Sequence, residues 1–187
     1  MNAFDEGPVG IRPMVRADVD ALAGWERHSD PRYRMYDVGP LGAGEGDSLW
    51  RALSEPAGVR EPFVAEIGGR VVAQLVLRDI RKDDRSAELG IMVDPALIGR
   101  GLGRRILRAF AGYRAENGYR RLTLEVAADN ERAIRAYQAA GFVTRGERRG
   151  PAYPGATTGR ILRMETDLAA PPFTDSHSCQ PPSTSSP

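Results

Sequence analysis

The chain has 187 residues, 41% of them hydrophobic and 27% charged, which is the composition of one globular domain with a substantial core. Lysine plus arginine number 26 against 25 for aspartate plus glutamate, and a net charge of +1 gives no electrostatic basis for binding nucleic acid or a membrane surface. Cys179 is the single cysteine, which excludes an internal disulfide and a cysteine metal cluster.

No apolar run reaches the roughly 20 residues that a membrane-spanning helix needs. Residues 1–10 are acidic and lack the basic start and apolar centre of a secretion signal, so the expected location is the cytoplasm. Lys82 is the only lysine, and nearly all the positive charge is therefore arginine.

In chain order, residues 9–12 predict a short strand stopped by Pro13. Val19, Leu22 and Ala23 recur at helical spacing within a helix over 17–25. Residues 30–46 are rich in Gly, Pro, Asp and Tyr and read as a long loop, after which Ser48 caps a short helix through Leu53. Two β-prone runs, 62–67 and 70–80, flank Gly68-Gly69, a tight-hairpin signal. A charged turn at 82–85 leads to a strand at 87–93. Leu102, Ile106, Phe110 and Tyr113 mark the clearest helix, 101–117, with Gly118 as its stop. A strand at 121–127 follows, then a helix capped by Asn130 and ended by Gly141. The runs 142–148 and 159–168 form a second hairpin-like pair.

The expected architecture is a single α/β domain over residues 1–170. Its sheet is mixed, and the strand–helix–strand stretch 87–127 is its parallel crossover. Residues 171–187, PPFTDSHSCQPPSTSSP, hold too little apolar area to offset their ordering entropy and are expected to be a disordered tail, with His177 and Cys179 inside it.

The chemistry-bearing segment is 93–103, VDPALIGRGLG, which joins a strand to the best helix. Its glycines allow a tight bend and close approach of a ligand. The free N–H groups and positive dipole end of the helix then make an anion site suited to a phosphate or pyrophosphate. Such a turn also occurs simply to start a helix against a sheet. It is no Walker loop, since Gly103 is followed by Arg104-Arg105 where that loop has Lys-Ser/Thr. A dinucleotide fingerprint is disfavoured because hairpin strands precede the turn.

Residues 87–107 (AELGIMVDPALIGRGLGRRIL) together with 123–142 (TLEVAADNERAIRAYQAAGF) resemble the GNAT superfamily of N-acetyltransferases, and the likeness extends from about Ile11 to Leu168. The resemblance implies the acyl-CoA N-acyltransferase fold: a mostly antiparallel sheet whose central parallel strands splay apart, flanked by helices. It implies acetyl-CoA as co-substrate, held by pyrophosphate contacts to Gly99, Arg100, Gly101, Leu102, Gly103 and Arg104, with no metal. The family usually has Gln or Arg where this chain has Ile98, so one side-chain contact is missing. Arg100, Arg104 and Arg105 are placed to add charge, and they equally suit a solvated helix face.

By the same resemblance, Ile91, Met92 and Val93 pair their backbone with the pantetheine arm, one of their N–H groups facing the oxyanion. Asn130 contacts that arm, besides serving as a cap. Tyr137 protonates the departing thiolate, a transfer for which a phenol of pKa about 10 is suited; its spacing also fits a core aromatic. Glu125 resembles the glutamate of ribosomal-protein alanine N-acetyltransferases and alternates with Leu122, Leu124 and Val126. Glu88 is the second candidate for removing the amine's proton. Either carboxylate equally suits an ion pair with one of the many arginines.

The acceptor is expected to be a primary amine, of a protein N-terminus or of a small molecule. It would be recognised by 30–46, with Tyr33, Tyr36 and Asp37, and by 146–159, with Tyr153. The start of the chain (Ile11, Arg12, Pro13, Asp18, Ala21, Leu22, Trp25, Glu26) is similar to the ribosomal-protein branch. The alternative is a non-catalytic acetyl-CoA-binding regulatory or interaction module. No nucleic-acid or membrane partner is expected, and the protein is taken as a monomer or homodimer.

Overall fold

A computed structural model describes residues 7–30, 41–42, 44–54, 60–150 and 159–169. The tail expected at 171–187 lies outside the described residues, as do Tyr33, Tyr36, Asp37 and Tyr153. In order, the elements are β1 (Gly10–Pro13), α1 (Asp18–Ala23), α2 (Glu45–Ser54), β2 (Glu61–Ile67), β3 (Arg70–Arg81), β4 (Ser86–Val93), α3 (Leu102–Glu116), β5 (Arg121–Ala127), α4 (Glu131–Ala139), β6 (Val143–Arg149) and β7 (Arg160–Asp167).

The strands form one seven-stranded sheet in the order β1-β2-β3-β4-β5-β7-β6. β4 and β5 are the one neighbouring pair that runs parallel, joined by the crossover helix α3; α4 likewise carries the chain from β5 to β6, which run the same way with β7 between them. β7 inserts between β5 and β6, so the last hairpin folds back onto the crossover strand. The β2–β3 hairpin turns on Gly68 and Gly69 at φ 57° and 77°, the left-handed pair that matches the twist of the flanking strands.

Strand alternation sorts the side chains onto two faces. One face carries Phe63, Leu75, Leu77, Leu89, Leu122 and Leu124, which pack with Ile106, Leu107 and Phe110 of α3 and Phe142 after α4 in the main core. At about 25 cal/mol per Å² of apolar surface, this core is the principal source of stability. Phe63 meets Phe110 edge-on with ring centroids 5.3 Å apart. The opposite face carries Val64, Val76 and Met92, covered by Met14, Val19, Leu22, Trp25 and Leu53 of the α1–α2 side. That second cover reaches only the β1–β4 half of the sheet.

One boundary differs from the sequence-based expectation. The loop was expected to run to Gly46 with Ser48 as the cap, but α2 already begins at Glu45. The Glu45 carboxylate reaches back to accept from the Gly42 N–H at 2.5 Å. Ser48 instead sits a turn inside, where its backbone N–H and Oγ both reach the Gly44 carbonyl. Gly44 just before the helix and Gly46 in its first turn hide it from a propensity argument.

Candidate active site

The site is built on the crossover. β4 and β5 pair only at Ser86–Arg121, Ala87–Leu122 and Glu88–Thr123. Beyond that point each strand keeps its outer neighbour alone: β4 stays on β3 as far as Val93 opposite Ala73, and β5 on β7 as far as Ala127 opposite Ile161. The facing edges of Leu89–Val93 and of the end of β5 are therefore left without a ladder. A cleft of about 810 Å³ opens between them, lined by residues 89–93 on one side and 125–127 on the other. Its size is that of a ligand cleft. Backbone donors and acceptors along such an edge seek partners, and an extended chain bearing amides supplies them.

The turn after β4 is anchored before it opens. Asp94, almost wholly buried, accepts the Ala96 N–H at 3.0 Å and an Arg70 hydrogen bond at 2.6 Å, fixing the short 3-10 turn Pro95–Leu97. Gly99 and Gly101 then adopt φ 88° and 73°, and a Cβ at either would meet nothing within 4 Å. Conformation, not space, demands glycine there. Gly101 caps α3 without a side-chain bond, and no acidic residue stands in the first turn of this 15-residue helix. The first N–H groups of α3 are thus available to an anion.

Gly99, Gly101, Gly103, Ile98 and Arg104 line the cleft. Leu102 buries its side chain in the main core, so its backbone N–H is what it can offer a ligand. Arg100 is exposed beside the turn. Arg105, a third candidate for added charge, turns away and donates to the Gly7 carbonyl.

Across the cleft stands α4. Asn130 accepts the Ala133 N–H at 3.1 Å through Oδ1, which caps the helix and leaves its Nδ2 as a donor on the cleft wall. About two turns further on, Tyr137 is half-buried and lines the same wall. Its ring rests against the buried Phe142, centroids 5.9 Å apart and tilted by 58°. A core aromatic and a cleft phenol are here the same residue.

The two candidate carboxylates are both engaged by arginine. Glu125 lines the cleft and accepts from Arg148 Nε at 3.0 Å and Nη2 at 2.5 Å. That hydrogen bonding, opposed by burial and helped by the charges of Arg148, Arg163 and Arg78, holds its carboxyl below the ordinary value. Glu88 stands where β4 and β5 still pair, opposite Thr123, and takes Arg78 Nε at 2.9 Å. Glu125 thus opens on the cleft, whereas Glu88 is at its closed end.

At the other pole, on the α1–α2 side of the sheet, the cleft is lined by His28, Gln74, Arg60 and Arg78. None was singled out by sequence reasoning. His28 is 8% exposed and Gln74 9%. Gln74 interrupts the apolar run of β3, and its Nε2 lies 4.0 Å from Met14 Sδ, a weak contact. A polar residue inside an otherwise apolar strand was the one available signal. Arg60 and His28 belong to segments whose approach to β3 only the fold creates.

Glycine turn, splayed edges and phenol line one cleft, whose backbone donors and open strand edges suit an extended ligand with an anionic end. The model of the Acetyltransferase (GNAT) family matches residues 20–142, and the chain belongs to that family. The chain is 30% identical over 144 residues to the uncharacterized protein ML0378 of Mycobacterium leprae, an alignment covering 74% of this chain and 35% of that protein, so it spans about a third of that relative's length.

Among solved structures, the spermidine N-acetyltransferase of Vibrio cholerae in complex with CoA and spermine superposes with a TM-score of 0.69 at 20% identity, over 86% of this chain and 95% of that one. A chimera of the Vibrio cholerae spermidine N-acetyltransferase and hSSAT superposes at 0.71, also at 20% identity, over 86% and 95% of the two chains. These likenesses establish the fold. Among the described residues no cluster of His, Cys, Asp and Glu is arranged to hold a metal ion, and no helix is long and apolar enough to cross a membrane.

Proposed function

We propose that the protein transfers an acetyl group from acetyl-CoA to a primary amine by direct attack on the thioester. The observation that carries this reading is the early end of β4–β5 pairing, after Glu88–Thr123, beside a glycine turn that opens α3. The donor set fits the coenzyme: free N–H groups and Arg104 for its phosphates, and unladdered strand edges for its amide arm. Acetyl-CoA supplies an activated acyl carbon and a thiolate leaving group.

The chain's residues then divide the work. The backbone of Gly99, Gly101, Leu102 and Gly103, with Arg100 and Arg104 adding charge, neutralises the pyrophosphate. Ile91, Met92 and Val93 orient the pantetheine arm, and a backbone N–H of this stretch faces the carbonyl oxygen as negative charge develops on it. Asn130 fixes the arm from α4 through its Nδ2. As the N–C bond forms and the C–S bond breaks, Tyr137 gives its proton to the sulfur. The acceptor must first lose a proton, and Glu125, with Glu88 behind it, is the candidate carboxylate. Glu125 is anionic and paired, so it suits holding the acceptor or a relaying water better than it suits strong-base chemistry.

Polyamines belong among the acceptors to test, since the similar Vibrio cholerae structures are named for spermidine. Protein N-termini and small-molecule amines complete the set. Thiol release from acetyl-CoA over an amine panel tests the reading. Tyr137→Phe is expected to lower kcat about tenfold or more while CoA affinity stays within about twofold. An unchanged kcat removes Tyr137 from the mechanism. CoA binding with no thiol release for any amine would mark the chain as a binding module instead.

A further inference from the structure

The acceptor pole has a charge of its own, and it is the wrong sign for a polyamine. Register puts Arg78, Glu88, Glu125 and Arg163 on one face of the sheet. Arg78 lies opposite Glu88 and Glu125 opposite Arg163, while Thr123, two residues from Glu125 on the same face, has Glu88 on one side and Glu165 on the other. Arg148 reaches over β7 to the same place. Both carboxylates are already compensated. Glu125 is held by two nitrogens of Arg148, and Glu88 by Arg78.

The arginines are not used up in return. Arg78 spends Nε and Nη2 on one oxygen of Glu88, at 2.9 and 2.7 Å, while its side chain is 53% exposed and lines the cleft. Arg60 gives one bond, Nη1 to the Ala52 carbonyl at 3.0 Å, and also lines the cleft. It meets no carboxylate among the described residues. A guanidinium has five donors, so both retain several. Among the described residues of this face, Arg60, Arg78, Arg145, Arg148 and Arg163 stand against Glu88, Glu125 and Glu165, an excess of two positive charges at the end of the cleft where the amine must arrive.

We infer that the acceptor carries an anionic group, a carboxylate or a phosphate, beside its primary amine, and that Arg60 and Arg78 bind that anion. The inference rests on the acetyl-transfer reading above and names its acceptor class. A planar guanidinium pair matches a carboxylate or phosphate by paired hydrogen bonds, and a second cation at this pole has no uncompensated carboxylate to meet.

Calorimetric titration of the CoA-saturated protein tests the inference with two matched pairs and a polyamine: β-alanine against β-alaninamide, O-phosphoethanolamine against ethanolamine, and spermidine. In at least one pair the member with the anionic group is expected to bind about tenfold more tightly than the twin that lacks it. The responding pair tells carboxylate from phosphate. Arg60→Gln and Arg78→Gln, checked for folding by retained CoA binding, are each expected to reduce that ratio severalfold. Twins without the anionic group binding as tightly as those with it overturn the inference. So does spermidine binding more tightly than all, or a ratio that survives both substitutions. Thiol release with the same five compounds reads the transfer itself. An anion preference in binding with no thiol released contradicts acetyl transfer, whereas release without an anion preference contradicts the inference alone.

Discussion

In the proposed reaction Tyr137 and Glu125 meet opposite requirements, and their surroundings differ accordingly. The phenol is packed on Phe142 at the cleft wall, and the carboxylate is clasped by Arg148. Because Arg148 holds the Glu125 carboxyl below 4.5, Glu125 is ionised throughout the neutral range and its own titration lies on the acid side. A rise of kcat/KM between about pH 6 and 9 would therefore report another group, the acceptor amine included. Glu125→Gln is expected to lower the rate and leave the midpoint of that rise in place. A midpoint that moves with the substitution would make Glu125 the titrating base.

Gly101 allows a second test at this scale. Its φ of 73° makes Gly101→Ala cost about 1 kcal/mol of stability in denaturant unfolding, with weaker CoA binding as the α3 start shifts. Unchanged stability would show that the turn relaxes. Single residues were partly legible in the sequence: Asn130 and Gly101 announce themselves by cap and turn chemistry. The clasp on Glu125 was not, since Arg148 lies 23 residues later and arrives only because β6 folds back beyond β7.

Among elements, the join of β1, α1 and β2 is electrostatic as well as apolar. Arg12 donates to both oxygens of Asp18 at 2.7 Å and to Glu66 at 2.6 Å, and Asp18 also accepts the Val15 N–H that precedes α1. Burial pushes the Asp18 carboxyl up, but Arg12 and the Val15 N–H outweigh it and hold it below 3.8. A depressed native value means the contribution is complete above 3.8 and is lost as pH falls through the lower native value. Asp18→Asn is expected to cost about 2 kcal/mol near neutral pH, and the gap to the parent should close in acid. A gap independent of pH would show that packing, not charge, is what the substitution removes.

The strongly periodic elements, α3 and the Gly68–Gly69 hairpin, were legible because apolar spacing and turn chemistry agree. α2 was misjudged at its start because Glu45, through a bond to Gly42, begins a helix across residues with poor propensity.

For the whole molecule, the sheet is a partition with the cleft passing through it. The glycine turn, α3 and α4 lie toward the main core, while His28, Arg60 and Gln74 open toward α1 and α2. The proposed reaction has its reactants approach from opposite faces and meet where β4 leaves β5. Alternating strands and helices in the sequence predict a mixed sheet, and likeness to the family predicts the splay. Which charges gather at the proposed acceptor end depends on register across strands β3 to β7, and no local pattern encodes that.

Amide hydrogen exchange with and without CoA tests the placement of the site most directly. The expected result is slowed exchange in Leu89–Val93, through the 99–104 turn and at the start of α4, with β1 and β2 unchanged. Protection absent from β4 and the turn, or confined to other elements, would contradict the account.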